Sequence, residues 1–335
     1  MILFEFDHER PNTPDEAVAL LTHAGPDARL LAGGTDLIPN MRYRTVTPAL
    51  LVSLGAIQPE APREEKDGSL RLDALAKLVT IENSALVRKR APMLAESAHT
   101  VAGNQIRQMG TLGGNLCQDT RCLYFNQQHD FQFVAPCYKR GGDCCYPFPR
   151  NDKSTCWSVF MSDIAPALIA LKAEIEIQGE QGLRRQPLEA LYAGDGLKPH
   201  KLGQAELLRA VIVPPASPRQ GWGYHKESVR GGLEFGMAIL AATVTLAADS
   251  KACEGARLAL GAVREAPVRL TETEKAMAGQ ALDAERIAEI AEAASQEVNP
   301  LPHHGFTKAH LRDVIRIQMR RLLARAVERA VNPNA

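Results

Sequence analysis

Hydrophobic and polar positions along this chain switch repeatedly between a helical and a strand-like period, which predicts mixed α and β structure. Residues 4–6 read as a short strand. Thr13, Pro14 and Glu16 then form a helix start, with Thr13 as N-cap and Pro14 at the first helical position. Ala17, Leu20 and Leu21 carry the apolar face to a turn at Gly25 and Pro26. Residues 29–32 predict a second strand, 37–42 a short helix and 50–53 a buried strand. The charged stretch 59–68, which holds two prolines and a glycine, reads as a loop between subdomains.

Helices are expected over 81–88, 93–102 and 164–171. Residues 174–177 alternate as a half-buried strand, and a further strand over 207–213 stops at Pro214 and Pro215. That proline pair, with Ser217, Pro218 and Gly221, is the best domain boundary. Beyond it, strands are predicted at 223–226, 238–247 and 256–263, with helices in the rest and a long amphipathic one over 308–329. No internal repeat is visible. The expected class is α+β, divided into 1–55, 56–215 and 216–335.

Composition changes this picture little. Of 335 residues 45% are hydrophobic, ample for two or three ordinary cores. Formal net charge is zero, which gives no reason to expect nucleic acid or an acidic membrane surface as a partner. The basic run at 316–325 shares its helix with Leu322, Leu323 and Val327, so it reads as a solvated helix face. The start, MILFEFDHERP, lacks the form of a secretory signal, and no apolar run is long enough to span a bilayer. A cytoplasmic protein is expected, in a compartment where clustered cysteines mean metal or redox chemistry more often than disulfides.

Two glycine segments are the first chemical candidates. In Leu30, Leu31, Ala32, Gly33, Gly34, Thr35, Asp36 and Leu37, paired glycines follow a strand. Backbone N–H groups in such a turn can make a concave anion site suited to a diphosphate. Thr111, Leu112, Gly113, Gly114 and Asn115 repeat the idea. Neither segment is a Rossmann or Walker sequence, and a plain tight turn explains either one alone. Together they suggest a shared dinucleotide.

The cysteines are the second candidate. Six of seven lie between 117 and 156, and Cys253 stands alone in an apolar stretch as a small core residue. The region from about 117 to 157 has no clear period and needs some reason to be ordered, which a metal centre would supply. The available thiols are Cys117, Cys122, Cys137, Cys144, Cys145 and Cys156. No C-x2-C pair occurs, so neither zinc-ribbon nor plant-type [2Fe–2S] spacing is met. Zinc, a cubane and reduced free thiols all remain open on spacing alone. No nucleophile–base pair stands out, and His303 and His304 read as a surface loop.

The segments LLAGGTDL, QIRQMGTLGGNL and SDIAPALIAL, in this order, resemble the flavin subunit of the xanthine dehydrogenase and carbon monoxide dehydrogenase family. HKESVRGGLEFGMA, GAVREAPVR and the closing helices are similar to that family's C-terminal flavoprotein domain. The resemblance implies FAD in a PCMH-type domain of two α+β subdomains, followed by an α+β C-terminal domain. By motif, residues 30–37 would wrap the pyrophosphate, and Thr111, Gly113, Gly114 and Asn115 would form the second FAD loop. Asp163 would meet the adenosine end, and Leu208 and Lys226 would occupy two further flavin-contacting positions. Val101 departs from the family, in which an aromatic residue often stands there.

GGNLCQDTRC followed by a long cysteine-bearing loop is similar to one branch, the beta subunits of 4-hydroxybenzoyl-CoA reductases. That likeness implies a [4Fe–4S] cluster on Cys122, Cys137, Cys145 and Cys156, with the choice between Cys144 and Cys145 the weakest. It further implies electron flow from ferredoxin through the cluster and FAD. The onward partners would be a small subunit with two [2Fe–2S] clusters and a large molybdopterin subunit, in a hetero-oligomer that reductively dehydroxylates 4-hydroxybenzoyl-CoA during anaerobic aromatic degradation. Two alternatives stand beside it. One is an oxidising hydroxylase whose flavin passes electrons to NAD, quinone or oxygen. The other is a flavin-free assembly module with structural zinc.

Overall fold

A computed structural model of the chain describes residues 3–127, 135–149, 155–248 and 252–332. It is an α+β protein built on three sheets. The first sheet is parallel, in the order β1 (Asp7–Glu9), β3 (Leu50–Ser53), β2 (Ala28–Leu31). Helix α1 (Pro14–Ala24) packs Ala17, Val18 and Leu21 onto it, against Ala28 and Val52. Thr13 caps α1 by accepting the Glu16 N–H at 3.2 Å, while the Glu16 carboxylate accepts from the N–H of Asn12 at 2.7 Å. The first strand lies three residues later than the aromatic pattern predicts. Phe4 and Phe6 pack edge to face on each other, and exposed β1 is held by backbone pairing with β3. Its position is therefore set by strand register, which leaves no apolar alternation to read.

The second sheet has five antiparallel strands in the order β4 (Arg63–Glu64), β5 (Leu70–Asp73), β8 (Leu207–Val213), β6 (Glu174–Gly179), β7 (Gly182–Pro187). The expected loop at 59–68 thus contains one short edge strand. The apolar faces of β5, β6 and β8 share a core with α3 (Leu78–Asn83), α4 (Ala85–Arg90), α5 (Pro92–His99) and α8 (Ile164–Ala170). The expected single helix over 81–88 is broken in two. Ser84 is extended and caps α4, accepting the Val87 N–H at 3.3 Å, and hydroxyl capping outcompetes continued helix there. Two short helices, α6 (Asn104–Met109) and α7 (Leu112–Leu116), follow.

The third sheet is antiparallel, in the order β12 (Val268–Arg269), β11 (Cys253–Gly261), β10 (Ala238–Leu246), β9 (Gln220–Glu227). Helices α9 (Thr271–Met277), α10 (Ala284–Glu297) and α11 (Lys308–Val331) cover it. Residues of α10 and α11, Ile290 and Leu322 among them, bury an apolar face on β10 and β11. Gly221 and Gly223 let α11 touch β9, since a Cβ at Gly221 would lie 1.8 Å from the Ala326 carbonyl oxygen. Cys253 sits in this core. No helix among the described residues is long and apolar enough to cross a membrane.

Candidate functional site: a glycine-lined cradle and a cysteine-lined cavity

The turn between β2 and α2 (Leu37–Arg42) is pinned in place by missing side chains. A Cβ on Gly33 would stand 2.1 Å from the Met109 carbonyl oxygen, so this turn touches the backbone where α6 ends. Gly34 is left-handed, with φ of 72°. The backbone N–H groups of Gly33, Gly34, Thr35 and Asp36 find no protein acceptor among the described residues. Four unspent donors in a row form the concave, electropositive backbone that an anion such as a diphosphate fits. Gly110 faces Thr35, with its Cβ position 3.5 Å from the Thr35 Oγ1. The two glycine segments, 77 residues apart between Gly33 and Gly110 in sequence, are therefore neighbours in space.

The second segment differs from the expected open turn. Thr111 is the N-cap of α7, and its hydroxyl accepts the Gly114 N–H at 3.1 Å. The Gly113 N–H donates to the Ala74 carbonyl at 2.7 Å. These two donors are thus spent inside the protein, because a hydroxyl three residues ahead of a free N–H closes a helical cap. Gly113 needs its small size, since a Cβ would meet Ala74 at 2.9 Å and Leu208 at 3.4 Å. That packing brings β8 to the same place. The Asn115 Oδ1 accepts the Ser162 hydroxyl at 2.6 Å, and the Ser162 Oγ accepts the Ala165 N–H at 3.0 Å. Asn115 is so held beside the start of α8.

Next to Ser162, the Asp163 carboxylate pairs with the Lys226 ammonium at 3.1 Å, with side chains only 5% and 6% exposed. Lys226 also donates to the Thr100 carbonyl at 2.8 Å. Burial pushes the Asp163 carboxyl up to about 6, against the pull of Lys226. Its Oδ1 is buried and has no hydrogen-bond partner. Such an orphan acceptor is costly unless a donor arrives, and a ribose hydroxyl is a donor of the right kind. Tyr224 and Thr100 complete this corner through a 2.9 Å hydroxyl pair, and the Tyr224 hydroxyl donates to the Asp163 carbonyl at 3.2 Å. Neither was singled out in the sequence, where no period or motif marks them. Val101 is buried.

Asp36 behaves unlike its neighbours in the turn. Its carboxylate faces inward, paired with Arg121 and accepting the Asp119 N–H at 3.0 Å. Burial raises its carboxyl, and Arg121 opposes the rise. A carboxylate would repel a diphosphate, and here it anchors the start of the cysteine region instead. Asp119 and Arg121 were invisible as partners because they lie 83 and 85 residues away.

The cysteine region carries one short helical turn, Tyr138–Arg140, among its described residues. Four of its cysteines, Cys122, Cys137, Cys145 and Cys156, line a single cavity with Tyr124, Phe125 and Lys139. Cys117 and Cys144 are not in that wall. Cys117 is half-buried against the main core, and loss of solvent around the sulfur pushes its thiol up to about 12. Local hydrogen bonds fix each of the four. The Cys122 N–H donates to the Asn126 Oδ1 at 2.9 Å, and the Cys137 carbonyl accepts from Arg140 and Gly142. The Phe148 N–H closes a turn on the Cys145 carbonyl at 3.0 Å. The Cys156 N–H donates to Asp195 at 2.9 Å, and its Sγ lies 3.2 Å from the Ser158 hydroxyl. Burial raises the thiols of Cys122, Cys145 and Cys156. Among the described residues, no group of three or more His, Cys, Asp or Glu side chains is placed so that it could hold a metal ion.

Comparison with known proteins identifies the family. Residues 4–216 match the FAD binding domain in molybdopterin dehydrogenase, and 223–327 match the CO dehydrogenase flavoprotein C-terminal domain. The carbon monoxide dehydrogenase medium chain of Afipia carboxidovorans is 29% identical over 99% of this chain and 100% of its own. The aldehyde oxidoreductase FAD-binding subunit PaoB of Escherichia coli K12 is 31% identical over 79% of this chain and 83% of its own. A solved structure of reconstituted CO dehydrogenase from Oligotropha carboxidovorans superposes with a TM-score of 0.80 at 27% identity, over 98% of this chain and 100% of that one. The chain belongs to the FAD-binding, medium-chain family of molybdenum hydroxylase oxidoreductases, which includes the xanthine dehydrogenase and CO dehydrogenase subunits.

Proposed function

We propose that this chain is the electron-transferring subunit of a molybdenum enzyme, holding FAD in the glycine-lined cradle and a [4Fe–4S] cluster on Cys122, Cys137, Cys145 and Cys156. The observation that carries the cluster is the convergence of these four thiols, from four separate stretches of an irregular region, on one cavity. A lone zinc ion needs ligands about 2.3 Å from one point, whereas a cubane spreads its thiolates around a larger body.

In the cradle, the N–H groups of Gly33 to Asp36 would take the diphosphate. The Asp163 Oδ1 would accept from the ribose, and Lys226 would hold Asp163 in place. Leu208 and the Gly113 segment would wall the site. Bound FAD would supply exchange between two-electron and one-electron chemistry, and a cluster would supply one-electron steps only. This chain's part is to fix both at set positions and exclude water. A large molybdopterin subunit and a small subunit with two [2Fe–2S] clusters would complete a hetero-oligomeric complex. All seven cysteines are unpaired, as a reducing compartment keeps them, which suits a cytoplasmic complex.

Two directions of electron flow are compatible with this. The likeness of the cysteine region to 4-hydroxybenzoyl-CoA reductases favours inward flow, from a ferredoxin to the dehydroxylating site. The names of the relatives favour outward flow, since they are dehydrogenases and hydroxylases, nicotine 6-hydroxylase and caffeine dehydrogenase among them. Anaerobic purification with counts of FAD, iron, acid-labile sulfide and zinc tests the cofactors. About four irons per chain are expected for one cubane, and FAD without iron removes the cluster. Mixing the reduced complex with NAD, quinone or oxygen, against its oxidised form with reduced ferredoxin, tests the direction.

A further inference from the structure

Lys139 is a cation in the wall of the cysteine-lined cavity that the flavin cradle does not use. Its side chain is 6% exposed, and it forms part of the cavity wall beside the four thiols. The ammonium lies 4.2 Å from the centre of the Phe125 ring, which also lines the cavity. Behind it stands Asp119, its ion-pair partner, outside that wall. The ammonium is thus fixed among Asp119, Thr120 and the Phe125 ring, at one side of the thiol cavity. Lys139 also donates to the Thr120 hydroxyl at 2.8 Å. The Thr120 hydroxyl is fully buried and touches the Ser158 hydroxyl, which lies 3.2 Å from the Cys156 Sγ. The Thr120 proton can turn to Ser158 or to the Gly196 carbonyl at 3.2 Å, and because a ligating thiolate can only accept, the Ser158 proton beside one would point at sulfur.

We infer that Lys139 and the Thr120–Ser158 relay set the reduction potential of the cluster, by favouring its more negative, reduced state. This rests on the cluster assignment above. Reduction adds one electron, delivered by the reductant, to an assembly that four thiolates already make negative. No bond forms or breaks, and no proton is required. A fixed buried cation and a hydroxyl hydrogen bond to sulfur both stabilise the added charge, and charge and sulfur hydrogen bonding are the levers that place such potentials. Lys139 acts through space and through Thr120 as a positioning residue.

The test is an anaerobic redox titration of the full chain, reconstituted with iron and sulfide, with the reduced cluster read by electron paramagnetic resonance. Lys139→Met is expected to shift the reduction equilibrium at least tenfold toward the oxidised form, about 59 mV lower in midpoint. Lys139→Arg, which keeps the charge, should recover most of that shift, and Ser158→Ala should lower the midpoint by a smaller step. An iron-replete Lys139→Met protein with the wild-type midpoint overturns the assignment to Lys139. If Lys139→Met fails to hold iron, Lys139→Arg and Ser158→Ala decide instead. Iron-replete Ser158→Ala at the wild-type midpoint overturns the relay, and a lowered midpoint there with Lys139→Arg near wild type supports it. Wild-type chain that takes up no iron sinks the cluster reading itself, an outcome distinct from a loaded cluster with an unmoved potential.

Discussion

Replacing Gly33 with alanine probes the cradle by adding one methyl group. The new Cβ would lie 2.1 Å from the Met109 carbonyl oxygen, where ordinary contact begins at 3.4 Å. The obstacle is backbone on both sides, so no side chain can rotate away. The turn and the end of α6 must part by more than 1 Å. Overpacking of this kind costs about 1–3 kcal/mol. Because the displaced atoms are the ones that present the free N–H groups, most of that cost should appear in FAD binding. At about 1.4 kcal/mol per tenfold, the dissociation constant should rise by roughly 5- to 100-fold. Gly34→Ala is a graded comparison. Its φ of 72° strains any L side chain, but its nearest neighbours are side-chain atoms of Ile38 and Leu31 at 3.2 Å, which can yield. Left-handed strain of about 1–2 kcal/mol predicts a smaller loss there. Gly255→Ala, with nothing within 4 Å, is the control. Quenching of flavin fluorescence on titrating flavin-free protein gives the constants, and far-ultraviolet circular dichroism checks the fold. A folded Gly33→Ala protein that binds FAD within twofold of wild type would refute the diphosphate role of this turn.

Three further expectations follow from the same contacts. The Asp163 carboxyl titrates near 6 in the fold against 3.8 for the free group, so the flavin-free fold keeps a proton that the unfolded chain has lost. Its stabilising effect is full below about pH 4 and fades as pH rises through 6, by up to about 3 kcal/mol. Urea unfolding should show that decline in wild type and not in Asp163→Asn. Cys145→Ser should lower iron content sharply while Cys144→Ser leaves it near wild type, because only Cys145 lines the cavity; equal loss in both, by iron assay, contradicts the ligand set. Gly221→Ala would drive a Cβ to 1.8 Å from the Ala326 carbonyl oxygen, so α11 should lift from β9 and thermal unfolding should move down by several degrees.

How far the sequence alone reached depended on whether a feature repeats along the chain. The strand over Leu207–Val213 and the helix over Leu37–Arg42 were readable to the residue, because Pro214 and Pro215 end the one and the turn at Gly33 to Asp36 precedes the other. The first strand was not, since its exposed residues are ordered by pairing with β3. Likewise the glycine pairs announced a tight approach without saying to what. Only the fold shows that Gly33 meets Met109 and that the Thr111 hydroxyl consumes a donor of the second segment. The four cysteines could be chosen by landmarks, whereas Lys139, Thr120 and Ser158 carry no pattern at all. Polar partners drawn from distant stretches are matched by geometry, and geometry has no period in sequence.

Asp36 shows what such hidden matching does. It closes the glycine turn, yet its carboxylate holds Arg121 and the Asp119 N–H at the mouth of the cysteine region. Asp119 in turn holds Lys139 in the cavity wall. One short polar path therefore joins the two candidate cofactor sites. Arg121 already has a buried Nε without a partner, so loss of Asp36 would leave its charge worse matched. Removing one partner of a hydrogen-bonded charge pair costs about 1–3 kcal/mol. Asp36→Ala should accordingly reduce FAD affinity and iron retention together, whereas a change confined to either site should reduce one of them. If Asp36→Ala weakens FAD binding severalfold while its iron content stays at the wild-type level, the two sites are held independently.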